Sequence, residues 1–384
     1  METKSESDGL NILKQHIPEL DGLRGFALCA AVIWHYYSCT VTDYTAILRI
    51  LRPFTDLTIL CVDSFFVLSG FLISSILLQS KGSPNFFKTF YIRRVLRIFP
   101  MYYFMLVFYV VGVWLGGEQK IPFIFSDPLP LWSYAVFAQT FFMGIVEGQF
   151  NFGPHFLGIT WSVTIEEQFY FFMPFLIWLI PRKHLIKTCL LLITVCWLTK
   201  WGMRDDLMRI YVTMPSRMDS LIMGIMIAYG VQQPGFIHYI KSILPKLHWA
   251  LLFLVIGLTL FIQFPIGGVW FGFLFTAAGI AFSLCMLIIL THREGKISGF
   301  FNLRLFRWLG GISYGVYLSH QAINGTLHQL ILNQPPTIHI KNSSLIWQDI
   351  SVTLLSLLVS LVFSHYAFKL VEKPLIRYGH SFKY

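Results

Sequence analysis

Charge is scarce in this chain. Asp, Glu, Lys and Arg make up 12% of its 384 residues, where a soluble domain carries about 25%. That scarcity excludes an ordinary water-soluble fold. The cysteines lack any CxxC or metal-ligand spacing. Cys29, Cys39, Cys61, Cys189, Cys196 and Cys285 stand mostly in apolar runs and read as small buried hydrophobes. No internal repeat, low-complexity tract or Pro/Gly-rich linker divides the chain. The opening METKSESDGLNILKQH is polar and mixed in charge, unlike a signal or transit peptide. The formal charge is +10, yet no basic amphipathic or aromatic-interleaved patch accompanies it, which argues against nucleic acid as a partner.

Apolar residues are abundant: 55% of the chain is hydrophobic and 17% aromatic, with a mean hydropathy of +0.64. The expectation is an all-α integral membrane protein, a bundle of about ten transmembrane helices. Apolar spans lie near 22–42, 57–79, 98–116, 162–180, 186–201, 211–231, 248–264, 269–291, 311–332 and 348–371. A further run, 131–143, is too short to cross. It is expected to form a short re-entrant or interfacial helix in the 117–160 loop. The domain reading is a tail over 1–16, one membrane domain over 17–376 and a second tail over 377–384. With the N-terminus inside, 20 Lys and Arg fall on the cytoplasmic side and 7 opposite, with Arg24 and Arg217 inside or at the mouth of spans. This bias predicts a multi-pass protein of the cytoplasmic (inner) membrane with both termini cytoplasmic.

Against that apolar background a few ionisable residues stand out, because lipid penalises them. In DGLRGFALCAAVIWHYY, Arg24 and His35 are eleven residues apart, about three helical turns, so they share one face roughly 16 Å apart. VDSFFVLSGF carries Asp63, which needs a partner, and Gly70, which permits close helix approach. FYIRRVLRIFP gathers Arg93, Arg94 and Arg97 at a helix start ended by Pro100. Arg93 and Arg97, at i and i+4, project together, and guanidinium forks suit phosphates. WSVTIEEQFY places Glu166 and Glu167 near the outer end of a span. SRMDSLIMG brings Arg217 and Asp219 into another, as a mutual pair or partners of Glu166. SYGVYLSH adds Tyr317 and His320.

Taken in order from ELDGLRG to VEKP, these blocks resemble the acyltransferase-3 family of membrane O-acyltransferases over nearly the whole chain. Arg24 and His35 match that family's Arg-ten-residues-His motif. The resemblance implies transfer of an acyl group, usually acetyl, from cytoplasmic acetyl-coenzyme A as co-substrate to a sugar hydroxyl outside the cytoplasm. The acceptor would be an extracytoplasmic glycan or lipid-linked sugar such as lipopolysaccharide O-antigen, exopolysaccharide or peptidoglycan. Some members carry a C-terminal esterase-like domain of the SGNH type; this chain resembles the stand-alone members. On this reading His35, Arg24 and Glu166 are catalytic, with His35 as general base and Glu166 orienting the acceptor. Arg93, Arg94 and Arg97 hold the coenzyme A phosphates beside Arg24, while Asp63, Arg217, Asp219 and His320 contact substrate. Direct transfer is favoured over an acyl-histidine intermediate. His35, Glu166 and His320 show no metal-ligand spacing, so no metal is expected. The alternative is a polytopic transporter or proton-coupled exporter, which also buries Arg, His and Glu but more often shows repeated halves with broken helices. The sequence does not fix the oligomeric state.

Overall fold

The computed structural model describes residues 13, 15–41, 46–126, 128–146, 149–264, 267–336 and 343–384; the N-terminal tail lies almost wholly outside them. Ten long helices fall on the ten expected apolar spans among the described residues. They are α1 (Pro18–Ile33), α2 (Val62–Ser80), α3 (Phe86–Trp114), α4 (Trp161–Leu179), α5 (Leu185–Gly202), α6 (Met214–Val231), α7 (Leu244–Phe261), α8 (Val269–Thr291), α9 (Arg304–Leu332) and α10 (Ser343–Ala367). Six of the helical runs are long and apolar enough to cross a membrane. A seventh qualifies if the run Leu207–Val231, bent by 106° against Phe236–Ser242, is one span. The chain is thus a multi-pass membrane protein. Helices α1, α4 and α9 do not pass the same test. They carry His35's helical run, the Glu166–Glu167 pair and His320, and ionisable groups of this kind mark helices that face a bundle interior.

Contacts divide the chain into two compact units that interleave in sequence: Met1–Ala27, Leu60–Phe86 and Gln168–Gly311, and then Leu28–Ile59, Phe87–Glu167 and Ile312–Tyr384. In the first unit α2 and α6 meet backbone to backbone. A Cβ on Gly70 would fall 1.9 Å from the Leu221 carbonyl oxygen, so the close approach expected of Gly70 is realised. The C-termini of α2 and α4 cap each other. Lys81, just after α2, donates to the carbonyls of Ile177 at 2.6 Å and Ile180 at 2.7 Å. Arg182, just after α4, donates to the Leu78 carbonyl at 2.5 Å. Cations on the last carbonyls satisfy orphan acceptors and oppose the helix dipole. We expect Gly70→Ala to cost about 1–3 kcal/mol by overpacking. It should appear as a lower midpoint when detergent-solubilised protein is heated and the surviving monodisperse fraction is measured; an unchanged midpoint would refute the tight crossing.

The second unit departs from two expectations. Pro100 does not end a helix: α3 runs from Phe86 through it to Trp114. Proline removes one backbone bond, the one to the Leu96 carbonyl, but is tolerated inside membrane helices; in the same turn the Tyr314 hydroxyl donates to the Ile98 carbonyl at 2.9 Å. The arginine cluster therefore lies two to three turns inside α3 rather than at its start. Nor is 131–143 one helix. A five-residue helix, Leu131–Ala135, ends at Phe137, whose φ is +55°. Ala138 N–H bonds the Ser133 carbonyl at 2.7 Å and Phe137 N–H bonds that of Tyr134 at 3.3 Å, a Schellman-type stop. The Phe137 ring, 4.5 Å from Tyr102 and 5.5 Å from Phe99, packs well enough to hold this unusual backbone. The loop also contains a small antiparallel hairpin, Gly144–Val146 with Gln149–Asn151. At the other end of the chain, the expected tail after 376 continues a helix over Lys373–Ser381.

Candidate active site

The chemistry concentrates in the second unit around two imidazoles. α1 stays α-helical to Ile33 and then widens into a π-helical turn over Trp34–Ser38, closed by Cys39 N–H on the Trp34 carbonyl at 3.0 Å. Such wide turns recur at functional sites. This one carries His35, which is half-buried. Its Nδ1 lies 3.0 Å from Nε2 of His320 on α9. His320 is fully buried. Its Nδ1 sits 3.0 Å from the Val316 carbonyl and 2.8 Å from that of Tyr317, and the Tyr36 hydroxyl donates to the His320 carbonyl at 2.8 Å. Beside the pair, Tyr317 and Ser162 share a 2.6 Å hydrogen bond between hydroxyls.

A third imidazole joins them. His155, from the short helix His155–Gly158 in the long loop, interacts electrostatically with both His35 and His320. Burial, reinforced by His320, pushes its pKa down to about 4, so it is neutral at physiological pH. A Cβ at Gly325 would come within 3.0 Å of this ring, so glycine there lets α9 accept it. A lone histidine in the 117–160 loop, outside any long apolar span, gives no periodic signal in the sequence. Among the described residues no three His, Cys, Asp or Glu side chains stand close enough to hold a metal ion.

The carboxylates and arginines lie in the same unit. Glu166 interacts electrostatically with Tyr317. Glu167, whose Oε1 is buried and accepts no hydrogen bond among the described residues, interacts with Arg94. Glu167 therefore faces the arginine cluster inside the bundle. Arg93 donates to the Phe382 carbonyl at 2.6 Å and lies 4.9 Å from the Tyr384 ring centroid. Arg97 interacts with Glu372. The i, i+4 pair thus shares one face, as expected, and that face meets the C-terminal segment. Arg24 falls in the first unit and hydrogen-bonds Asp21 at 3.2 Å.

Asp63, Arg217 and Asp219, expected with His320 to contact substrate, belong to a different compact unit from His320. They lie in the first unit, fully buried, and serve one another's neighbours. Arg217 donates to Asp63 at 3.0 Å, and Ser220 to the same carboxylate at 2.7 Å. The Arg217 guanidinium stands 3.8 Å from the Phe275 ring centroid, a cation–π contact. Asp219 pairs with Lys200 at 2.5 Å and also accepts from Thr276. Arg217 and Asp219 do not pair with each other. Their partners are Asp63 and Lys200, and Lys200 is fully buried within α5. Lys200→Met should destabilise the protein by about 3–5 kcal/mol, because it strands a buried carboxylate, whereas Lys200→Met with Asp219→Leu should recover most of the loss. Thermal midpoints of the two variants test this; a double variant no better than the single would remove the pairing argument.

The fold and this cluster define a multi-pass membrane protein with a histidine-centred site. Residues 17–365 match the acyltransferase domain of the acyltransferase-3 family, and the chain belongs to that family. Among curated proteins it is similar to the peptidoglycan O-acetyltransferase OatA of Listeria monocytogenes serovar 1/2a, 27% identical over 95% of this chain and 57% of OatA. It is also similar to YrhL of Bacillus subtilis strain 168, which carries the same description provisionally, 26% identical over 95% of this chain and 56% of YrhL. The chain thus spans a little over half the length of these relatives. No solved structure matches it.

Proposed function

We propose that this chain transfers an acetyl group from cytoplasmic acetyl-coenzyme A to a hydroxyl of an extracytoplasmic glycan, with His35 as general base. One observation carries the reading: His35 is half-exposed and backed by a fully buried histidine within hydrogen-bond reach, the arrangement of a base and its orienting partner. In the transfer, the sugar oxygen bonds to the acyl carbon as its proton passes to His35. The C–S bond breaks, and the departing thiolate takes that proton. Arg93, Arg94 and Arg97 bind the coenzyme A phosphates, and Glu166 orients the acceptor. The bond from Arg93 to the Phe382 carbonyl keeps the C-terminal segment beside the arginine face, which supports a cytoplasmic C-terminus. Membership of an acyltransferase family favours this reading over an exporter.

The name of OatA makes a peptidoglycan sugar the first acceptor to try; a lipid-linked sugar is the next. Purified protein in vesicles, given acetyl-coenzyme A and soluble peptidoglycan fragments, should release coenzyme A and leave fragments heavier by one acetyl group in mass spectrometry. Acetylation of another surface glycan instead would move the acceptor. Absence of acceptor-dependent consumption of acetyl-coenzyme A with any surface glycan would sink the reading.

A further inference from the structure

We infer that His320 is a positioning residue that locks the His35 ring in the tautomer with a bare Nε2, the atom that takes the acceptor's proton. This rests on the proposed role of His35 as base.

A neutral imidazole carries one N–H and one lone pair, and its environment decides which nitrogen has which. His320 Nδ1 faces two backbone carbonyls, those of Val316 and Tyr317, at 3.0 and 2.8 Å. Carbonyls only accept, so Nδ1 carries the hydrogen. Nε2 of His320 is then a lone pair. It sits 3.0 Å from His35 Nδ1, so His35 must donate from Nδ1. One position remains: Nε2 of His35 is left with its lone pair. Both tautomers are set by the Val316 and Tyr317 carbonyls, which cannot change role.

Burial separates the two histidines' tasks. His320 is fully buried and cannot touch an acceptor, while His35 is half-exposed. The Tyr36 hydroxyl, bonded to the His320 carbonyl at 2.8 Å, ties the π-helical turn to α9 and keeps the two rings in register. When His35 Nε2 gains the acceptor's proton, the new positive charge is shared through Nδ1–H with the His320 lone pair, and no second proton moves. Were His320 the donor instead, His35 would present Nε2–H and could not act as a base.

Two measurements test this. In protein labelled with 15N in its histidine rings and held in lipid, solid-state NMR should show His35 protonated at Nδ1 and bare at Nε2; the reverse tautomer in the wild type overturns the proposal. In acetyl-transfer assays with acetyl-coenzyme A and soluble peptidoglycan fragments, His320→Leu should lower kcat on the order of 10²-fold, the scale of losing an orienting partner, with KM for acetyl-coenzyme A changed less than about twofold. His320→Gln should recover most of that loss, because its amide oxygen can accept from His35 Nδ1. Unchanged kcat in His320→Leu, or His320→Gln no better than His320→Leu, overturns the assignment. An active His35→Ala protein would instead overturn the base itself, so the two failures are distinguishable.

Discussion

His35→Ala is expected to abolish acetyl transfer while the protein still inserts and binds acetyl-coenzyme A. Loss of general-base assistance alone costs about 10²–10⁴ in rate. The alanine variant also leaves the buried Nε2 of His320 without its donor, a loss of about 1–3 kcal/mol in stability, so inactivity could be blamed on misfolding. His35→Asn separates the two. An asparagine amide nitrogen lies near where Nδ1 was and can still donate to His320, but nothing replaces Nε2. We expect His35→Asn to be as inactive as His35→Ala with a thermal midpoint close to wild type. Acetylation of glycan near the wild-type level by either variant would overturn the assignment. Direct transfer further predicts no stable label on His35 after incubation with radiolabelled acetyl-coenzyme A and no acceptor.

Much of this fold was legible in the sequence because a membrane imposes a simple rule: apolar runs of about 20 residues become helices. Among the described residues ten helices fall where ten such runs lie, and six of the helical runs, or seven with the bent one, are long and apolar enough to cross. The failures have specific causes. A proline such as Pro100 ends most helices in water, but membrane helices tolerate one in their interior, where its missing bond costs less than breaking the span. The run 131–143 has helical composition but breaks at Phe137, held left-handed by aromatic packing that no local pattern announces. For the site, Asp63, Arg217 and Asp219 are costly to bury, and the structure gives each a partner: Asp63 pairs with Arg217 and Asp219 with Lys200. A buried charge signals either chemistry or a partner. Lys200, at the end of an apolar run, was invisible as that partner. His35 and His320 were each singled out, but 285 residues separate them in sequence, and only the fold reveals that they form one unit of chemistry.

Replacing Arg93 and Arg97 together by alanine is expected to weaken acetyl-coenzyme A binding on the order of a hundredfold or more. Each charge-assisted contact to a phosphate is worth about 1.5–3 kcal/mol, and the two side chains share a face at i, i+4. The structure supplies a competing use for them. Arg93 holds the Phe382 carbonyl and faces Tyr384, and Arg97 faces Glu372, so the pair also clamps the C-terminal segment. Arg93 nonetheless keeps its Nε without a hydrogen bond among the described residues, and one guanidinium has five donors to spend. The conservative variant tells the uses apart. Arg93→Lys with Arg97→Lys retains charge and loses the planar fork, so it should keep an affinity between those of wild type and the alanine pair. Equilibrium binding of acetyl-coenzyme A to purified protein, read beside thermal stability, decides. A folded double-alanine variant with wild-type affinity would leave these arginines as the clamp alone, and the search for the phosphate site would pass to Arg94, which interacts with Glu167 as well as with His380 and Tyr384 of the C-terminal segment.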